Sequence, residues 1–168
     1  IINNLDYEKK YDEFFLHSYG SVINNEKEDY LLSKNKYPHT YSINEKIDLT
    51  YLEVYSVDPE KCTDADDAFS IFYKDEKLFL AIHIADPTEY IQLNSELWND
   101  ILEQNITKYP SNRKPFHLMP EKIIELSSLC ENSAGNLKNA ITVIFEIDEK
   151  TNEPINNPNL CFTTINVK

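Results

Sequence analysis

The chain has 168 residues, enough for one domain with a core that buries about 70% of its unfolded surface. Its 41% hydrophobic and 27% charged residues are those of a folded protein. Twenty-nine acidic against 16 basic side chains leave a net charge of −13, which argues against a general polyanion binder. Two glycines, Gly20 and Gly135, are too few for a P-loop, a dinucleotide-binding fingerprint or a G-x-S-x-G nucleophile elbow. No apolar run reaches the roughly 20 residues that cross a bilayer. There is no basic-then-apolar start either, so a cytoplasmic protein with no membrane partner is expected. Cys62, Cys130 and Cys161 are odd in number and lack C-x-x-C spacing, the pattern of reduced thiols.

In chain order, Leu5, Tyr7, Tyr11, Phe14, Phe15 and Ser18 fall at helical spacing, with Gly20 placed to stop the helix. Residues 24–46 are polar and broken by Pro38, so 1–46 is expected to be a helical lead-in followed by a polar linker. Residues 52–57 look extended and 58–67 form an acidic loop. Apolar runs at 68–74 and 78–85 flank Lys74-Asp75-Glu76-Lys77 as a hairpin. From 95 to 106, Leu97, Trp98, Ile101, Leu102 and Ile106 line one face of a helix. Residues 107–122 contain Pro110, Pro115 and Pro120. Strands are expected at 140–147 and near 160–167. The order favours an α+β fold with a mixed, largely antiparallel sheet and packed helices. His83, inside an apolar strand, reads as a satisfied core histidine, Trp98 as core, and Cys62 as a small filler.

The informative stretch is the acidic loop, where Asp58, Asp64, Asp66 and Asp67 fall within ten positions between core-like strands. Carboxylates about 5 Å apart repel by roughly 3 kcal/mol per pair at an effective dielectric near 20. Raised pKa values, exposure to water or a bound cation relieve that repulsion. A solvated acidic turn is the plain reading; the short Asp side chain and the flanking strands favour a cation instead. Ala68 and Phe69 fall where an EF-hand needs a ligand and a glycine, and no His or Cys pair stands at zinc spacing. Mg²⁺, with Mn²⁺ as the alternative, suits such a set, and that arrangement serves displacement at phosphorus.

A second patch lies at 107–122. Lys108, Arg113, Lys114 and Lys122 stand there against Glu121 alone, a local charge of +3, interleaved with Tyr109, Phe116 and His117. Cations for phosphates and rings for bases are what single-stranded nucleic acid requires; a solvated proline-rich loop with core aromatics is the alternative.

The order of motifs closely resembles the RNB catalytic domain of the ribonuclease II and ribonuclease R family. Asp58, Asp64, Asp66 and Asp67 followed by Ala68 reproduce the family's acidic spacing. Ile82-His83-Ile84-Ala85-Asp86-Pro87-Thr88, then Leu118-Met119-Pro120-Glu121-Lys122 and Leu129-Cys130, follow in the family's order, and Asp48-Leu49-Thr50 matches its lead-in. Over residues 47–168 the resemblance implies a hydrolytic 3′-to-5′ exoribonuclease that acts on single-stranded RNA and releases 5′-mononucleotides. It implies that Asp58, Asp64, Asp66 and Asp67 hold Mg²⁺ and orient the attacking water, and that Tyr109 stacks on a base near the RNA 3′ end. Lys108, Arg113 and Lys114 are the expected phosphate contacts. Lys138 stands where an arginine is common in the family. The chain begins without Met and stops at Lys168, before the family's second stacking tyrosine and catalytic arginine. An incomplete RNB domain is therefore expected, completed by a missing C-terminal part or a partner chain. A catalytically silent RNA-binding or scaffolding remnant is the alternative.

Overall fold

The computed structural model describes residues 29–30, 32–33, 46–59, 62, 64–109, 115–131 and 134–167. The chain divides into two compact units, Ile1–His39 with Tyr90–Glu121, and Thr40–Glu89 with Lys122–Lys168. Both are discontinuous in sequence, whereas composition suggested one boundary at 46/47. The helix expected from Leu5 to Ser18 lies outside the described residues.

The second unit is built on a five-stranded sheet. Its strands are β1 (Ile47–Asp48), β2 (Asp67–Lys74), β3 (Lys77–Ala85), β4 (Leu137–Ile147) and β5 (Asn159–Asn166). Their spatial order is β1-β5-β4-β3-β2, with β1 parallel to β5 and every other pair antiparallel. The mixed, largely antiparallel α+β expectation is borne out. The hairpin of β2 and β3 closes at the predicted place, with Lys74 opposite Lys77. Its two turn residues, Asp75 and Glu76, have φ of 50° and 61°, the left-handed pair that matches the twist of a two-residue hairpin. Extended structure at 52–57 is reduced to one bridge, Tyr55 to Phe69, because Pro59 and the acidic loop draw the chain off the sheet edge.

One sheet face carries the core. Ala68 and Ser70 of β2, Ala81 and His83 of β3, Ala140 and Thr142 of β4, and Thr163 and Ile165 of β5 are all buried. Leu49, Leu52, Ala65, Leu129 and Val167 pack into the same cluster as Ala68, Ala140 and Ile165. Alternate residues point the other way, and Ile71, Tyr73, Ile84 and Leu160 are exposed, so these strands are not sealed on both faces. His83 is a satisfied core histidine as expected. Its Nε2 lies 3.0 Å from Ser70 Oγ and its Nδ1 2.9 Å from Thr142 Oγ1, which in turn lies 2.6 Å from Thr163 Oγ1.

Two helices are described in full. α1 (Glu96–Gln104) starts at Ser95, whose side chain accepts the Trp98 amide, and ends at Asn105 in the left-handed region. That stop truncates the predicted helix before Ile106, which is exposed; within the helix Leu102 is exposed too, while Leu97 is buried and Trp98 half-buried. α2 (Glu121–Ser127) was not expected. Pro120 just before it is compatible with a helix start, since proline disrupts only the interior. Asp29, Tyr30, Leu32 and Ser33 are helical as well, which corrects the linker reading at those positions. Among the described residues no helix is long and apolar enough to cross a membrane.

Candidate active site

The aspartate loop is positioned through its alanines. Ala65 is fully buried, and both of its peptide groups are held: its N–H donates to Ser128 Oγ at 2.9 Å, and its carbonyl accepts the Leu129 N–H at 2.8 Å. One residue on, the Asp66 carbonyl accepts the Ala85 N–H at 2.9 Å, and Asp67 pairs with Ile84 as β2 begins. With Ala65 and Ala68 drawn into the core, the carboxylates between and beside them turn outward. Asp58, Asp66 and Asp67 are exposed and Asp64 is half-buried. Three motifs distant in sequence thus meet at one end of the sheet: the acidic loop, the Ala85-Asp86 strand end and the Ser128-Leu129 segment.

The four aspartates act on one another. Partial burial, and then the charges of Asp64, Asp67 and Asp58, push the Asp66 carboxyl above its ordinary range. Cys62 Sγ donates to Asp58 Oδ1 at 3.8 Å, so the loop's own thiol faces one of the carboxylates. The donor chemistry, four carboxylates on one loop, suits a hard divalent cation. Among the described residues, no three His, Cys, Asp or Glu side chains are already gathered as a ligand set. A cation there would have to draw the carboxylates inward, against the repulsion that raises Asp66.

The neighbouring motif residues support the frame. The Asp86 carboxylate is buried and accepts from the amide and hydroxyl of Thr88, which fixes the 3-10 turn Pro87–Tyr90 after β3. Lys138, on β4, is 1% exposed, and its Nζ donates to the Glu125 and Leu126 carbonyls at 3.0 and 3.4 Å. Burial pulls its ammonium below the usual lysine range. Ser128, Leu129 and Lys138 were not predicted as contributors to the site. The sequence signals for them are the position of Leu129-Cys130 in the motif order and, for Lys138, its place where the family commonly carries an arginine.

The basic patch belongs to the other unit, apart from Lys122. Tyr109 is 75% exposed and offers an open ring face. Its neighbour Lys108 is 6% exposed, which differs from the solvent-facing phosphate contact suggested by composition. The backbone explains this, because Lys108 and Phe116 exchange both amide bonds at 2.9 Å and pin the strand-like segment in place. Arg113 and Lys114 lie outside the described residues.

The model of the RNB domain family matches residues 46–166. The chain belongs to the RNB family. Its acidic loop, the Ala85-Asp86 strand end and the Ser128-Leu129 segment all lie within the matched RNB domain. Ribonuclease R of Aquifex aeolicus is 32% identical over 111 residues, 66% of this chain and 15% of that protein. Exoribonuclease 2 of Buchnera aphidicola is 42% identical over 62 residues, 36% of this chain and 9% of that protein. The fold is also that of solved RNB proteins. Mycoplasma genitalium RNase R, in complex with ribose-methylated single-stranded RNA, superposes with a TM-score of 0.70 at 22% identity, over 88% of this chain and 22% of that one. Yeast Ssd1, a pseudonuclease, superposes with a TM-score of 0.64 at 15% identity, over 88% of this chain and 21% of its own. Fold alone does not carry function, so the aspartates carry the argument for chemistry.

Proposed function

We propose that this RNB domain is the metal-binding part of a hydrolytic 3′-to-5′ exoribonuclease that acts on single-stranded RNA and releases 5′-mononucleotides. The observation that carries the reading is the placement of Asp58, Asp64, Asp66 and Asp67 on one loop anchored at Ala65, where partial burial and then the charges of Asp64, Asp67 and Asp58 raise Asp66. A silent remnant is not favoured, because four mutually repelling carboxylates would have no reason to persist together. Mg²⁺, or Mn²⁺ in its place, would be held by these four residues. When bound, the cation supplies Lewis-acid polarisation of the scissile phosphate and lowers the pKa of a water. The carboxylates would orient a water for attack on phosphorus opposite the leaving 3′-oxygen. The P–O3′ bond breaks, leaving a 3′-hydroxyl on the shortened RNA and a 5′-phosphate on the released nucleotide. Tyr109, with its ring in solvent, stacks on a base near the 3′ end.

The chain spans about 15% of the length of the Aquifex ribonuclease R. Arg113 is its sole arginine, so a further cation for the developing phosphorane charge comes from the remaining part of an RNB domain or from a partner chain. Losing one such donor costs about 10²–10³ in rate, so the 168 residues alone should bind Mg²⁺ and cleave slowly. The cytoplasm is the proposed compartment, in keeping with three unpaired thiols. The test is a uniformly labelled single-stranded RNA incubated with the protein, with and without the remainder of an RNB domain. Mononucleotide release that needs Mg²⁺ and is lost in Asp66→Asn supports the reading. Release that survives Asp66→Asn or chelation overturns it.

A further inference from the structure

We propose that Lys138 is a positioning residue for the aspartate loop: its ammonium, set against the carboxyl end of α2, fixes the Ser128-Leu129 segment that holds Ala65 between Asp64 and Asp66. The inference rests on the acidic loop being the active site proposed above.

Lys138 is the second residue of β4, paired with Ile165, and it points into the core face of the sheet. A buried ammonium is costly unless its donors are met. Here they meet the carbonyls of Glu125 at 3.0 Å and Leu126 at 3.4 Å. Both belong to the last turn of α2, where a helix leaves carbonyls without internal partners and presents the negative end of its dipole. The chain leaves that turn directly into the clamp. Ser128 N donates to the Ile124 carbonyl at 2.8 Å, Ser128 Oγ accepts from Ala65, and Leu129 N donates to Ala65. The Lys138 ammonium thus holds carbonyls two to four residues from the groups that fix the loop, and the residues on either side of Ala65 are two of the four carboxylates. An apolar side chain of equal length would fill the same space. It would also leave the α2 carbonyls without this donor and free the helix end to lift, and Ala65 would lose both bonds together.

The experiment follows amide hydrogen exchange in the 168-residue protein, comparing the parent with Lys138→Met, Lys138→Arg and Ser128→Ala. Lys138→Met should speed exchange at Ala65 and Leu129 by roughly tenfold relative to the β3–β4 ladder amides. Lys138→Arg, which keeps the donor, should restore parent-like protection. Ser128→Ala should release the Ala65 amide. In the same proteins, Mn²⁺ affinity read by electron paramagnetic resonance should weaken by about tenfold in Lys138→Met and recover in Lys138→Arg. Unchanged exchange at Ala65 and Leu129 overturns the proposal, as does a rise shared equally by the β3–β4 ladder or parent-like Mn²⁺ binding in Lys138→Met. If Lys138→Met does not fold, unchanged Ala65 exchange in Ser128→Ala overturns it instead. A parent that binds no Mn²⁺ defeats the metal reading of the loop, while the exchange pattern still decides the role of Lys138.

Discussion

Ala65 and Ser128 lie 63 positions apart, and the Ser128 hydroxyl accepts the Ala65 amide hydrogen at 2.9 Å. That bond joins the acidic loop to the end of α2, and with the Leu129 amide on the Ala65 carbonyl it fixes the backbone from which Asp64 and Asp66 project. Neutral backbone and hydroxyl bonds beneath the loop therefore hold Asp64 and Asp66 in place.

This arrangement predicts opposite responses to charge removal with and without metal. Millimolar Mg²⁺ or Mn²⁺ should raise the melting temperature of the parent by linkage. Asp66→Asn removes a carboxylate whose pKa is raised by partial burial and by Asp64, Asp67 and Asp58, so in chelator its melting temperature should equal or exceed the parent's. The metal-dependent rise should largely vanish in that variant. An Asp66→Asn protein with the parent's full metal response, measured by calorimetry, would place the cation elsewhere.

His83 predicts an acid limb to stability. Burial lowers its pKa from the model-peptide value of 6.5 to about 4. Between those values the unfolded chain binds a proton that the folded chain refuses, so stability falls as pH drops from about 6.5 towards 4 and levels off below. At roughly 1.4 kcal/mol per pH unit, the loss should be on the order of 2–3 kcal/mol across that window. Urea unfolding from pH 7 to 4 measures it. A His83→Gln variant should lose this limb while starting less stable. An unchanged slope in that variant would assign the limb to carboxylates instead.

Tyr109 offers a free ring rather than a packed one. Tyr109→Ala should weaken binding of a single-stranded RNA oligonucleotide by roughly 1–3 kcal/mol, and Tyr109→Phe should be nearly neutral. Fluorescence anisotropy at fixed salt distinguishes the two. Equal losses in both variants would point to the hydroxyl.

The β2–β3 turn holds two non-glycine residues at positive φ, Asp75 and Glu76. Replacing the pair by Asn-Gly should stabilise the protein by about 1 kcal/mol, because those residues adopt the left-handed turn at lower cost. Chemical denaturation reads the change. A loss of stability would mean that Asp75 or Glu76 makes compensating contacts.

The local pattern of the chain fixed a good deal of this. The apolar runs over β2 and β3 and the short charged link between them placed the hairpin. The apolar run through β4 placed the central strand, and the absence of glycine pairs removed the common phosphate-binding loops. The Asp58, Asp64, Asp66 and Asp67 spacing named the candidate carboxylates and their hard-cation chemistry. These features depend on residues within a few positions of one another, where period and side-chain type suffice.

Contacts across long separations decided the rest. Nothing near Ala65 in sequence shows that it will be fully buried and bound by Ser128 and Leu129, and nothing around Lys138 shows that its ammonium will meet the end of α2. Pro120 fell in a segment with three prolines, and it precedes a helix that local pattern did not announce. Leu102 and Ile106 had the spacing of a buried face, but Asn105 closed the helix before Ile106 and both residues are exposed. Lys108 carried the charge expected of a phosphate contact, yet its backbone pairing with Phe116 left it buried. The sequence by itself determined which side chains could do the chemistry, because type and spacing are local. The tertiary structure decided which of them face solvent together, because burial and hydrogen-bond satisfaction depend on partners that the chain brings in from far along its length.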